Sequence, residues 1–249
     1  MERGPLSGLT MEELLRLPLD IFRYSYGRVT VQDFTHILSL FDAFWKYKGD
    51  PTVENPHVFM KSGLHSNGYI NCLEVLKFCN LCEIFALLSA RALRRVYSGP
   101  VDWVVGPGNS AINFIHDLAK FLQAEVHAFT EKDADGRPIL WNRFTIPEGK
   151  KVLIANEVMT TSDGSTYEAK WGVRRGNVLP VTFIPYALVL AHRSKDFFLD
   201  DGTPVVPVFH FDIENFVSDS CPYCKVGSEA IKAKIPRENW ERLIKSSRA

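Results

Sequence analysis

The chain has 249 residues, 46% of them apolar, which is enough for one large domain with a buried core and too much for a disordered chain. Lys+Arg and Asp+Glu are equal at 29 each, which argues against a general nucleic-acid binder, normally basic, and leaves room for a local basic site around a small anion. Five cysteines, an odd number, do not suit a secreted disulfide scaffold.

The first residues, "MERGPLSGLTMEELL", lack the apolar stretch of a secretory signal. The most apolar run, "VTFIPYALVLA", is too short for a membrane span and contains a proline. A soluble, cytoplasmic protein is expected, without membrane or nucleic-acid partners.

Residues 1–50 read as an N-terminal helical arm. Thr10 and Glu13 form a capping box before "LLRL". Thr30 can cap "VQDFTHILSLFDAFWKY", where Phe34, Ile37, Leu38, Phe41 and Trp45 recur at helical spacing. "KGDPTVENP" reads as a linker. From residue 58 the pattern changes. "VFMKSG" and "GYIN" suggest a hairpin around Gly63 to Gly68, and "LEVLKFCNLCEIFALLSARALRRVY" one long helix with a basic last turn. "VDWVVG" is a continuous apolar run, as in a strand buried on both faces. The helix "AINFIHDLAKFL", the strand "AEVHAFT", a polar loop, "ILWNRFTI" and the strand "KVLIA" follow. A helix near "TYEAKWGVRR" then leads to the strand "FIPYALVLA".

Alternating strands and helices predict an α/β fold with a parallel twisted sheet flanked by helices. Residues 51–215 would form this core, and 216–249 a C-terminal tail with a Cys-x-x-Cys motif and a helix. Ligands of such sheets bind at the carboxyl ends of the strands, so the loops after Val105, Thr130 and Ala155 are the ones to inspect.

The last of these reads "VLIANEVMTTSDGS". Thr160, Thr161, Ser162, Gly164 and Ser165 offer hydroxyls and unhindered N–H groups just before a helix, a combination that binds anions. Glu157 suits a ligand that also carries sugar hydroxyls. The same string also reads as a plain strand followed by a Ser/Thr/Asp turn and a capped helix.

This segment resembles the ribose-phosphate signature of the type I phosphoribosyltransferases: four apolar residues, two acidic ones, then a Thr- and Gly-rich loop. "FMKSGLHSNGYIN" at 59–71 resembles a block of the orotate phosphoribosyltransferases, and "VVGPGNSAI" their pyrophosphate loop. "FTEKDADGRP" lies where that family has its mobile catalytic loop. "ALVLAHRS" and "SCPYCKVG" resemble the last core strand and the tail of some longer members. Five blocks in order carry the resemblance from about residue 55 to 228.

The resemblance implies a type I phosphoribosyltransferase-like core with a small hood, and magnesium-dependent transfer of phosphoribose from phosphoribosyl pyrophosphate to a nucleobase in pyrimidine nucleotide synthesis. Orotate is the leading acceptor. It implies that Glu157 and Asn156 bind the ribose hydroxyls, Glu157 also meeting magnesium through the donor. Thr160, Thr161, Ser162, Asp163, Gly164 and Ser165 would hold the 5-phosphate. Gly106, Pro107 and Gly108 would line the pyrophosphate, and Lys61 would meet the pyrophosphate or the base. Lys132 and Arg137 would act from the mobile loop, which in this family closes over the neighbouring subunit's site and so implies a homodimer. Lys61, Lys132 and Glu157 are the catalytic candidates. Asn156 stands where the family has an acidic residue, Asp163 puts a negative charge into the phosphate loop, and Asn67 and Asn71 replace a proline and an aspartate. Two alternatives stay open: transfer to another base, and a non-catalytic protein that binds the donor or a nucleotide.

Two Cys-x-x-Cys pairs, Cys79/Cys82 and Cys221/Cys224, supply the four thiolates of a structural zinc site. The first pair also reads as small core residues of an apolar helix. Among the histidines, His65 in "SGLHSNG" is the one retained as a possible site residue.

Overall fold

The computed structural model describes residues 4–24, 28–49 and 55–248. The expected linker therefore falls largely outside the described residues. In the N-terminal segment α1 (Met11–Leu15), α2 (Leu19–Tyr24) and α3 (Val31–Leu40) form as short helices. Both capping boxes are present, Thr10 with Glu13 and Thr30 with Asp33. The Asp33 carboxylate also accepts from Leu6 N–H at 2.9 Å, pinning the start of the chain to α3. Leu6, Leu14, Phe22, Phe34, Ile37 and Leu38 are buried in the same cluster as residues of the central sheet. Phe34 stacks on Phe209 at 4.5 Å.

The expected helix from Thr30 does not reach Trp45. It stops at Leu40, because Asp42 takes a left-handed φ of 50°. The chain then forms β1 (Phe44–Lys46), whose Trp45 is buried in a separate cluster. Next come β2 (His57–Phe59), β3 (His65–Ser66) and β4 (Gly68–Ile70). β2 forms a hairpin with β3 and not with the expected "GYIN", with Gly63 at φ 83° in its turn. "GYI" does not join it. β4 pairs antiparallel with β1 instead, Trp45 opposite Tyr69.

The long apolar helix is broken into α4 (Leu73–Leu76) and α5 (Cys79–Arg94), since Phe78 between them is extended. α5 ends with Arg91 and Arg94 in its last turn, as its dipole favours.

The βα units follow as expected through β5 (Trp103–Pro107), α6 (Ile112–Leu122), β6 (Val126–Lys132), β7 (Pro138–Leu140), β8 (Lys151–Met159), α7 (Ser165–Gly176) and β9 (Thr182–His192), and a further strand that the sequence reading does not anticipate, β10 (Val205–His210), comes after them. They make a six-stranded sheet of order β10-β9-β8-β5-β6-β7. All neighbours are parallel except β7, which returns antiparallel on β6. One face packs on α5, α6 and the N-terminal helices through Val104, Phe114, Leu118 and Leu153. The other packs on α7 through Val105, Ile154, Ala169 and Val173.

The tail does not trail away. β11 (Asn215–Phe216), α8 (Pro222–Lys225), β12 (Ala230–Lys232) and α9 (Arg237–Arg248) fold back onto the early hairpin. The resulting sheet, β11-β3-β2-β12, is a hood beside the carboxyl ends of β8 and β9, tied to them by Arg193. Ile231, Leu243 and Ile244 bury against Trp45 and Val58. No helix among the described residues is long and apolar enough to cross a membrane.

Candidate active site

β8 runs on to Met159 through most of "VLIANEVMTTSDGS", so Asn156 and Glu157 sit within a strand and not in the loop after it. Their side chains leave toward different partners. Asn156, 1% exposed, is a hub between β8 and the start of α7. Its Nδ2 donates to Val158 O at 2.8 Å, and to Ser165 Oγ and Thr166 Oγ1 at 3.0 Å each. Its Oδ1 accepts from Glu157 N–H at 2.8 Å. Every polar atom of this side chain is used inside the protein.

Glu157 is aimed at the loop after β5. Ser110 Oγ donates to its Oε1, while its Oε2 is buried without a partner. Burial raises the pKa of this carboxyl, with the Ser110 hydrogen bond pulling the other way. Cys72 Sγ contacts the Glu157 carbonyl at 3.5 Å, which brings the end of β4 alongside.

Among the described residues, three buried side-chain polar atoms lack a partner: Glu157 Oε2, Asn71 Oδ1 and Arg193 Nε. Their neighbours are linked: Cys72, next to Asn71, meets the Glu157 carbonyl, and Tyr69 feels both Arg193 and Glu157. Asn71 follows β4 directly. Arg193 follows β9 and donates to Ser66 Oγ at 2.6 Å and Asn215 Oδ1 at 2.9 Å in the hood. Burial lowers the Arg193 pKa to about 10, so it stays cationic at neutral pH. Buried polar groups are almost always paired. An acid, an amide and a guanidinium left unpaired in the protein are groups that a polar ligand can satisfy.

The phosphate-loop candidates border the same strand end. α7 begins at Ser165 with Gly164 as its N-cap, and no side chain caps it. Its first N–H groups are therefore open to an anion. Gly164 N–H turns back on Thr161 O at 3.3 Å, and Asp200 N–H ties Ser162 O to the loop after β9 at 3.1 Å. That loop is held by Asp201, which meets Lys170 at 2.9 Å. Asp163 is exposed.

The glycines of the loop after β5 are explained by space. A Cβ on Gly106 would lie 2.7 Å from Ala155 O, and one on Gly108 2.7 Å from Thr130 O. Pro107 ends β5 between them.

The cations are spread more widely. Lys61 projects from the β2–β3 turn and is exposed. Its charge acts on Lys234, just after β12. Desolvation lowers the Lys234 pKa, and Glu157 raises it. A cleft of about 890 Å3 between α4 and α9 has Asn71 and Lys234 in its wall. Lys132 and Arg137 lie on the β6–β7 hairpin, where Lys132 meets Glu168 of α7 at 2.7 Å and Arg137 is exposed.

The four-cysteine zinc expectation is corrected. Cys79 and Cys82 lie on α5, where Cys82 is buried and near Asp117 of α6. Cys221 and Cys224 sit in the tail beside His57 and His65. The first pair are helix residues, as small apolar cysteines commonly are.

Sequence reading missed Tyr69, Cys72, Ser110, Arg193 and Lys234. Tyr69 and Ser110 fall within or beside quoted blocks, and Arg193 ends "ALVLAHR", a cation directly after a core strand. Lys234 had no signal, because only folding of the tail brings it here.

The orotate phosphoribosyltransferase of Caldicellulosiruptor bescii is 33% identical over 178 residues, covering 71% of this chain and 87% of that protein. This chain belongs to the orotate phosphoribosyltransferase family. The family's member from Acidithiobacillus ferrooxidans is 29% identical over 192 residues, 75% of this chain and 92% of that protein. The solved orotate phosphoribosyltransferase of Aeropyrum pernix shares the fold with a TM-score of 0.50 at 17% identity, over 70% of this chain and 92% of that one. No protein-family model matches the chain.

Proposed function

We propose that this protein transfers the phosphoribosyl group of phosphoribosyl pyrophosphate to orotate, releasing pyrophosphate, with Glu157, Lys61 and Lys132 as catalytic residues. Membership of the family supports the reaction. The observation that carries the site is the buried Glu157 Oε2 left without a partner at the end of β8, beside the uncapped start of α7.

In this reading the uncapped start of α7 with residues 160–165 receives the 5-phosphate. Glu157 Oε2 accepts hydrogen bonds from the ribose hydroxyls, and Asn156 acts by holding Glu157 and the phosphate loop in register. Gly106, Pro107 and Gly108 let the pyrophosphate approach the backbone. Lys61 and Lys234 face the departing charge, which grows as the ribosyl centre takes oxocarbenium character. Arg193, cationic and with one N–H free, suits the carbonyl oxygens or carboxylate of orotate.

Magnesium fits this donor set. Mg2+ is commonly bound through one or two carboxylates plus substrate phosphates, and Glu157 Oε2 is one free carboxylate oxygen. Bound with the donor, magnesium would neutralise charge on the leaving pyrophosphate.

Lys132 and Arg137 on their exposed hairpin would complete a partner's site in a homodimer. Closure of that hairpin would exclude water, which otherwise hydrolyses the donor. Five free cysteines fit a reducing compartment, hence the cytoplasm.

The test is pyrophosphate release from the purified protein with magnesium and phosphoribosyl pyrophosphate, against orotate, uracil and the purine bases. Release with orotate alone is expected. Release with a different base, or none at all while the donor still raises the melting temperature, overturns the assignment.

A further inference from the structure

Between β11 and β12 the chain makes a long excursion over the hood. Of residues 217–230, Cys221 alone is buried, and Val217 and Val226 are exposed. Such a loop has almost no apolar anchor of its own, beyond Tyr223 lying on Tyr47 at 4.1 Å. Yet it is drawn down onto two histidines. His57 opens β2, where it pairs with Ala230 of β12, and His65 opens β3, where it pairs with Phe216 of β11. The excursion crosses from one of these strands' partners to the other, and it places its Cys-x-x-Cys above the histidine pair.

The four donor atoms lie within 4.8 Å of one another. Cys221 Sγ and Cys224 Sγ are each 3.5 Å from His57 Nε2, and Cys224 Sγ is 3.3 Å from His65 Nδ1. His57 Nε2 and His65 Nδ1 are 2.8 Å apart. A tetrahedral zinc with its usual bonds to nitrogen and sulfur separates N and S ligands by about 3.5 Å. The two nitrogens need to open by roughly half an ångström.

The surroundings settle the tautomer. His57 Nδ1 is 2.9 Å from Ser228 Oγ, and the Ser228 hydroxyl itself donates to Asn55 O. That serine therefore accepts at His57, which puts the proton on Nδ1 and the lone pair on Nε2, facing the sulfurs. Metal-bound histidines commonly have their second nitrogen fixed in this way.

We propose that His57, His65, Cys221 and Cys224 form a structural zinc site that staples the tail to the hood. Zinc binding displaces the two thiol protons and leaves a closed Cys2His2 set with no position for a substrate. His57 and His65 flank the turn that carries Lys61, so the metal also fixes the base of that turn. The site stands on its own geometry and does not depend on the transferase reading.

The full-length protein, purified without chelator, should carry about one zinc per chain by elemental analysis. C221S/C224S should reduce this at least tenfold, whereas C79S/C82S should leave it unchanged. A chelator should lower the melting temperature of the wild type, and zinc should restore it. Cobalt(II) added to the metal-free wild type should give the intense visible bands of tetrahedral thiolate coordination, a readout that needs no variant to fold. The proposal is overturned if the wild type holds no stoichiometric zinc and cobalt gives only an octahedral spectrum. Retention of the metal by C221S/C224S, or a Cys221–Cys224 disulfide that blocks binding in freshly reduced protein, would overturn it as well.

Discussion

Asn156 joins β8 to the start of α7, and two replacements separate the roles it could have. Removing the amide with Asn156→Ala strands Val158 O and the buried Thr166 hydroxyl, while the exposed Ser165 hydroxyl finds water and Glu157 N–H keeps its place in the ladder with β9. At about 1 kcal/mol or a little more for each stranded group, the loss comes to about 2–3 kcal/mol. For a chain of this length that lowers the melting temperature by roughly 7 °C.

Asn156→Asp keeps the shape and restores the acidic pattern. Its carboxylate still accepts from Glu157 N–H, and the Ser165 and Thr166 hydroxyls turn round to donate. Only Val158 O is left facing a negative charge, at 2.8 Å from where the donor stood. The expected cost is about 1–2 kcal/mol, partly offset by the start of α7. Burial raises the pKa of the new carboxyl, so the deficit should shrink at pH 5, where a protonated acid again donates, and widen at pH 8. Thermal unfolding of both variants at the two pH values measures this directly. If Asn156→Asp is at least as stable as the wild type at pH 8, the hub argument is wrong and the asparagine is a dispensable remnant of an acidic ligand.

Glu157 supplies a second pH test. Burial raises its folded-state pKa, so ligand-free stability should fall as pH rises from 4.5 through that value. Glu157→Gln should abolish turnover and remove this slope, which calorimetry between pH 4 and 8 would show; an unchanged slope would mean that another group carries it. Arg193→Lys keeps the charge but not the fork to Ser66 and Asn215. The Michaelis constant for orotate should rise tenfold to a hundredfold, from a hydrogen bond to charge worth about 1.5–3 kcal/mol, with that for the donor little changed. An effect confined to the donor would move Arg193 out of the base site. Asp201 behaves in the opposite sense to Glu157. Burial pushes its carboxyl up, but hydrogen bonds from Thr203 and Lys170 outweigh it and bring the pKa to about 2. Its contribution, about 1 kcal/mol after screening by solvent, is therefore present above pH 4 and lost as pH falls toward 2. Lys170→Met should weaken that acid limb without abolishing it, because Arg174 still meets Asp201 at 3.2 Å and Thr203 still donates to it, at a cost of about 1 kcal/mol.

The central sheet could be read from the sequence because its information is local. A strand buried on both faces must be a continuous apolar run, and "VDWVVG", "KVLIA" and "FIPYALVLA" are such runs, the first two followed by helices with their own periodicity. The errors lie where a distant partner decides. "DAFWKY" carries helical spacing, but Asp42 accepts a left-handed turn and β1 finds β4, a pairing no local pattern announces. "GYI" was assigned to the nearest strand in sequence, and it pairs with one further away.

The site divides along the same line. Its phosphate loop and glycines follow strands whose ends were visible, and they carry residue types that only close backbone approach or an anion explains. Arg193, Lys234 and the histidine–cysteine cluster arise from the tail folding back across the hood, contacts more than a hundred residues apart in the case of His57 with Cys221. Cysteine spacing pointed to metal but chose the wrong companions, because a second Cys-x-x-Cys is a stronger sequence pattern than two histidines eight residues apart. On α5 Cys82 is buried by packing and Cys79 is exposed. The hood thus joins two economies of information: the residues proposed to hold the donor are encoded next to the strands that carry them, while the groups that assemble the hood are encoded at opposite ends of the chain. It follows that truncating the tail should damage the base-binding side, through Arg193's partner Asn215 and through Lys234, before it disturbs the phosphate loop.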